Sequence, residues 1–174
     1  MTTTRISESV YSDATLRVDR DAKVIRGVKI IGRESLNGRE YSDKALDQAA
    51  KLYEGADVFI DHDRGDRERS ITESPAVLRG VKREKDGVRG DLHYLESHPY
   101  TPQLLERAER FPETFGLSHD ASGTVGNAKN GRVVVESIES VNSVDIVKKP
   151  ATNKGLVESK ERTVKKTVKQ IAEQ

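Results

Sequence analysis

The chain has 174 residues, of which 34% are charged and 34% hydrophobic, and its net charge is +1. That length fits one domain with a short appendage, and the balanced charge gives no electrostatic case for nucleic acid or a membrane surface. The absence of cysteine excludes disulfides, thiol catalysis and cysteine-ligated zinc. With no apolar run of about 18 residues and no apolar signal sequence, we expect a soluble intracellular protein.

The first half of the chain predicts strands interrupted by one helix. Residues 8–19 and 23–32 read as two strands joined by a polar turn. Residues 41–55 have helical spacing of apolar positions, with Ser42 as a capping residue and Gly55 at the end. Residues 56–66 predict a short apolar strand that runs into a polar loop.

The second half predicts a strand pair, a helix and then strands only. Residues 76–95 read as a hairpin about Asp86-Gly87, and residues 100–113 as an amphipathic helix. Residues 115–123 predict a strand, Asn130-Gly131 signals a second hairpin turn, and residues 133–147 supply one long or two short strands. Seven or eight strands with two helices indicate a mostly β, barrel-like α+β domain.

The composition changes after about Lys154, where charged residues outnumber apolar ones. Val157, Val164, Val168 and Ile171 fall at roughly helical spacing. We expect residues 1–157 to form the folded domain and residues 158–174 to form a charged helical arm or a linker towards a further, scaffold-like segment.

A serine and a histidine are adjacent in the segment FGLSHDASG, residues 115–123. Because successive side chains of a strand point to opposite faces, Ser118 and His119 cannot face each other there. If Ser118 is a nucleophile, its base must therefore come from elsewhere in the chain. The segment is also not the G-x-S-x-G elbow, because position 120 is aspartate.

The segment DHDRGD offers three further interpretations. His62 follows a buried-looking strand, where a side chain can be held rigidly and still meet solvent. Asp61, His62, Asp63 and Asp66 could instead contribute to a metal site, although no second well-spaced histidine accompanies them. A third alternative is that these acids pair with the arginines at 64, 67 and 69.

Three segments in order resemble a known family. VFIDHD, FGLSHDASG and SVDIVKKPATNKGL are similar to successive signature stretches of tailed-phage prohead (capsid maturation) proteases, serine proteases similar in fold to the herpesvirus assemblins. The resemblance spans roughly residues 10–157. Its specific part is the order and spacing, with Ser118 following His62 by 56 residues (118 − 62) and Asp145 following Ser118 by 27 (145 − 118).

The resemblance implies roles for particular residues. His62 would be the base, Ser118 the nucleophile and Asp145 the third member of a triad. The loop after the third strand would carry the oxyanion-binding N–H groups, which makes Asn153 and Lys154 the candidates. No metal or other cofactor is implied. Two glycines of the nucleophile strand, Gly116 and Gly123, would let a substrate backbone approach closely.

The resemblance also implies a fold and a biological role. The expected fold is an assemblin-like β-barrel of about seven strands flanked by helices. The expected function is a serine endopeptidase, active as a homodimer, that cleaves scaffold and major capsid protein precursors and itself, in the host cytoplasm inside the assembling prohead. The alternatives are a non-enzymatic capsid-assembly scaffold protein with a degenerate protease fold, and a metal hydrolase centred on His62 and Asp63.

Overall fold

The computed structural model describes residues 2–11, 16–35, 37–63, 65, 67–127 and 129–148. Within them lie nine strands and two helices. The elements are β1 (Thr4–Tyr11), β2 (Arg17–Asp19), β3 (Val24–Gly32), β4 (Arg39–Tyr41), α1 (Asp43–Tyr53), β5 (Asp57–Ile60), β6 (Ala76–Glu84), β7 (Gly87–Tyr94), α2 (Thr101–Arg110), β8 (Phe115–Val125) and β9 (Val133–Lys148). Neither helix is long and apolar enough to cross a lipid bilayer.

All nine strands belong to one mixed sheet. Its order is β1-β8-β9-β5-β6-β7-β3-β2, and β4 pairs separately with β9. Most neighbours are antiparallel, whereas β9 runs parallel to both β4 and β5. The prediction of a mostly β, α+β fold is confirmed.

The predicted closed barrel of about seven strands is wrong, because the nine-stranded sheet is open. β1 and β3 approach each other, but the described residues form no ladder between them. A barrel needs hydrogen-bonded strands all the way round. The terminal strand β2 offers only three residues, and all three are paired with β3.

The core joins buried residues of the sheet to residues of both α1 and α2. Ser42 caps the helix by accepting a hydrogen bond from the Ala45 amide at 3.1 Å, and its own hydroxyl donates to the Glu136 carbonyl of β9 at 3.0 Å. This cap therefore also fixes the start of α1 against the sheet. The fully buried large side chains of the core include Ile6, Ile25, Ile30, Tyr41, Leu46, Tyr53, Leu78, Leu92, Leu104, Phe115 and Leu117.

The predicted elements match the structure closely except in the N-terminal region. The predicted strand over residues 8–19 is two strands in different parts of the sheet, because β1 pairs with β8 and β2 with β3. The Asn130-Gly131 turn has φ values of 53° and 75°, the left-handed conformation that such a hairpin requires. The proposed domain boundary at residue 157 and the arm over residues 158–174 lie outside the described residues.

Candidate functional site

The register of β8 and β9 places Ser118 directly opposite Asp145. Residues opposite each other in an antiparallel pair project to the same face, with Cβ atoms about 5 Å apart. Asp120 and Ser143 form the next opposed pair on that face. The face is therefore polar, in contrast to the core face, where Leu117 and Val144 are fully buried.

His62 reaches this face from the end of β5. Parallel pairing sets Phe59 beside Asp145, and the Asp61 amide donates to the Ile146 carbonyl at 2.9 Å. Asp61 then turns the chain out of the strand with a φ of 57°. His62 follows, and its Nδ1 lies 3.3 Å from Asp145 Oδ2.

Among the described residues, the carboxylate of Asp145 has three side-chain partners. Oδ2 accepts from Ser143 Oγ at 3.2 Å and faces His62 Nδ1, while Oδ1 accepts from Arg69 Nη1 at 3.4 Å. Asp145 is only 2% exposed, so these partners replace the water that a buried carboxylate loses. Such a carboxylate can hold one imidazole nitrogen as the N–H donor and leave Nε2 free to accept a proton.

Arg69 is the main contributor to the site that the sequence did not indicate. Its guanidinium donates to the Ile60 carbonyl at 3.0 Å and to the Asp61 carbonyl at 3.3 Å, and it stacks over the Phe59 ring at 4.7 Å. It was expected to pair with neighbouring loop acids, but its close partner is Asp145 on β9. No local sequence pattern predicts a hydrogen bond between residues that are 76 positions apart in the chain.

The loop that carries Arg69 is held by Glu73. Arg67 donates to both carboxylate oxygens of Glu73, at 2.6 and 3.1 Å, and the Ser70 amide donates at 2.8 Å. Together Glu73 and Ser70 form a capping box at a short 3₁₀ turn. The hydrogen bonds from Arg67 and from the Ser70 amide lower the pKa of Glu73 to about 2.

His119 belongs to the opposite face and to the core, as strand alternation predicts. It is 1% exposed, with Nε2 3.1 Å from the Tyr41 hydroxyl and Nδ1 in a hydrogen bond with the Tyr53 hydroxyl. Burial raises the pKa of both tyrosines well above their usual value. Both hydroxyls therefore stay protonated, and a neutral imidazole can donate to one and accept from the other.

Ser118 is itself buried, at 1% exposure. No hydrogen bond joins its Oγ to His62 in the part of the chain that the structure describes. In a resting site such a hydrogen bond is often long and tightens only when substrate binds.

The remaining predicted site residues divide into two groups. The oxyanion candidates Asn153 and Lys154 lie outside the described residues. No group of three histidine, aspartate or glutamate side chains suited to a metal ion occurs among the described residues, which do not include Asp66. Arg67 lies 3.9 Å from Asp63, in line with the expected pairing of loop charges.

Comparison with known proteins yields a likeness of fold. No family model matches the chain, and no curated protein matches it. Among solved structures, the bacteriophage T4 capsid assembly protease is similar, with a TM-score of 0.60 at 15% sequence identity. The match covers 83% of this chain and 98% of the T4 protease chain. The sheet described above is therefore a fold that a phage capsid assembly protease also adopts.

Proposed function

We propose that this chain is a serine endopeptidase that cleaves scaffold and capsid precursor proteins, and itself, during phage head maturation. The observation that supports the proposal most directly is that β8, β9 and the end of β5 lie side by side. Asp145 hydrogen-bonds His62 Nδ1, and Ser118 lies opposite Asp145 on the same face. The fold shared with the T4 capsid assembly protease supports the biological setting.

In the proposed reaction Ser118 Oγ attacks the carbonyl carbon of the scissile bond. His62 Nε2 takes the hydroxyl proton and then gives it to the leaving amine, which leaves an acyl group on Ser118. Water, deprotonated by His62, hydrolyses that ester. Asp145 holds the imidazole in the required tautomer and stabilises the imidazolium that forms at each step.

A groove beside the proposed site offers room for an extended substrate. Arg5, Phe59, Arg69, Asp120 and Ser143 are among its lining residues. Asp120 pairs with Arg5, with Nε to Oδ1 at 2.8 Å, so the groove contains an acid whose charge is offset by an arginine. We place the oxyanion-binding N–H groups on Asn153 and Lys154.

The burial of Ser118 favours one alternative, a non-enzymatic capsid-assembly protein with a degenerate site. The two functions differ in what the purified chain does to unfolded polypeptide. A protease cleaves it at defined sites and loses that activity when Ser118 or His62 is changed. A scaffold protein leaves it intact under all conditions.

The test is cleavage of a complex peptide library, read by mass spectrometry. We expect Ser118→Ala and His62→Ala each to abolish cleavage, since loss of such a residue commonly costs on the order of 10⁴-fold. Asp145→Asn should cost less, because it harms the orientation of the base and leaves the nucleophile in place. Activity that survives in folded Ser118→Ala would refute the assignment.

Ser143→Ala is the matched control. Ser143 is a second serine on the same face, and it also hydrogen-bonds Asp145. Its loss should reduce cleavage far less than the loss of Ser118. If Ser143→Ala is inactive while Ser118→Ala is active, the nucleophile has been assigned to the wrong strand.

A further inference from the structure

The inference concerns Arg69 and deepens the proposed function, on which it rests. Arg69 is 11% exposed in its side chain, and its guanidinium joins two parts of the site. Through the Ile60 and Asp61 carbonyls it binds the chain just before His62. Through Nη1 it binds Asp145 Oδ1.

We propose that Arg69 is a positioning residue, which locks the Asp145 carboxylate to the end of β5 so that Oδ2 alone faces His62. Three features make this arrangement specific. The planar guanidinium offers several N–H donors in a fixed geometry, which a lysine cannot reproduce. The Phe59 ring supports its flat face at 4.7 Å. Ser143 then directs the other oxygen of Asp145.

Other charges surround His62 and have to be held constant in any test. Asp145 faces it from β9. From its own loop the charged neighbours around the same depression are Asp61, Asp63, Arg67, Arg69 and Glu73. Arg67 donates its hydrogen bonds to Glu73, whereas Arg69 donates to Asp145.

The test is ¹⁵N NMR of the His62 imidazole in the full chain, which reports the ring nitrogen that carries the proton, alongside cleavage kinetics. In the native chain we expect the proton on Nδ1, facing Asp145 Oδ2. In Arg69→Gln the carboxylate is no longer fixed, so the signal should shift towards a mixture of both tautomers. The value of kcat should then fall more than KM rises.

Two further variants serve as comparisons in this test, Arg69→Lys and Arg26→Gln. Arg69→Lys keeps the positive charge but loses the planar guanidinium, so it should show the same mixture of His62 tautomers and the same fall in kcat as Arg69→Gln. Arg26 bridges Asp19 and Asp91 away from the site, so Arg26→Gln should leave both readouts unchanged.

The outcomes separate this inference from the proposed function. A His62 proton that stays on Nδ1 in folded Arg69→Gln, or full kcat in Arg69→Lys, overturns the role of Arg69. If Arg69→Gln does not fold, the kcat of Arg69→Lys decides alone. If the native chain cleaves nothing, the proposed function fails, and the ¹⁵N signal of His62 still tests the positioning role of Arg69.

Discussion

At the scale of single residues, the alternation of side chains along β8 gives two adjacent residues different roles. Ser118 and His119 are adjacent in sequence, yet Ser118 shares a face with Asp145 while His119 lies between two buried tyrosines. A histidine beside a serine invites assignment as its base. Here it is a core residue, and the imidazole near Asp145 is that of His62.

This assignment predicts a large loss of stability in His119→Ala. The change would leave the Tyr41 and Tyr53 hydroxyls buried without their partner, at about 1–3 kcal/mol each, in addition to the cavity. Urea unfolding should show a free energy of unfolding lowered by about 3 kcal/mol or more. Ser118→Ala should change it by less than about 1 kcal/mol. A His119→Ala protein as stable as the native chain would contradict the core role.

The sequence could supply part of this site. Strand period alone put Ser118 and His119 on opposite faces, and the resemblance supplied His62 and Asp145. Arg69 could not be found in this way, because its role depends on the loop folding back onto β9. Helical and strand periods report local geometry and carry no information on such long-range pairs.

At the scale of the elements, the β8–β9 pair depends on a glycine. Gly123 was expected to admit a substrate backbone, but the backbone that lies close to it is that of β9. A Cβ added there would lie 2.0 Å from the Ser137 carbonyl oxygen and 3.0 Å from the carbonyl carbon. The glycine is therefore needed for pairing within the sheet.

Gly123→Ala should consequently disturb the register that aligns Ser118 with Asp145. We expect a loss of stability of several kcal/mol or failure to fold, because backbone atoms would have to move apart. Gly38→Ala is the comparison for Gly123→Ala, because it tests the backbone conformation without a steric clash. Nothing lies within 4 Å of a Cβ there, and only its φ of 75° opposes the change. Equal melting temperatures for Gly123→Ala and the native chain would show that β8 and β9 are not packed as described.

The loop between β5 and β6 offers a prediction on pH. Arg67 and the Ser70 amide lower the pKa of Glu73 from its usual value of 4.5 to about 2. A lowered pKa means that Glu73 stabilises the folded loop fully above pH 4.5 and loses that effect as the pH falls through about 2. The chemical shift of the Ser70 amide should report this with a midpoint near 2. A midpoint near 4.5 in the native chain, unchanged in Arg67→Gln, would contradict the described loop.

Some boundaries of the helices and strands could be predicted from the sequence, and others could not. Capping by Ser42 and the Asn130-Gly131 turn follow from local chemistry, and both are found as expected. The three-residue strand β4 was missed, because a parallel pair with Val133–Val135 leaves no alternating pattern in so short a segment. The split between β1 and β2 was missed for a related reason, since their partners β8 and β3 are far apart in sequence.

At the scale of the whole molecule, fold class was predictable and closure of the sheet was not. The predicted seven or eight strands and two helices indicated a mostly β, α+β fold. Whether a sheet closes depends on how its end strands meet, and that is decided by strand lengths and twist. The end strands β1 and β2 leave this sheet open.

The proposed boundary near residue 157 predicts the effect of truncation. Among the described residues the sheet pairings extend to Lys148, and the large apolar residues of 158–174 are few: Val164, Val168 and Ile171. Removal of residues 158–174 should therefore change the melting temperature by only a few degrees, equivalent to less than about 1 kcal/mol. Peptide cleavage should persist. A large drop in melting temperature would move the domain boundary beyond residue 157.

The most direct test of the central claim is covalent labelling with a fluorophosphonate, which reacts with activated serines. Intact mass and peptide mapping of the native chain should show one adduct per molecule, located on Ser118. His62→Ala and Ser118→Ala should remain unlabelled, whereas Ser143→Ala, which loses one hydrogen bond to Asp145, should still be labelled on Ser118. No adduct on Ser118 in the native chain, or an adduct that forms equally well in His62→Ala, would contradict a serine protease built on Ser118, His62 and Asp145.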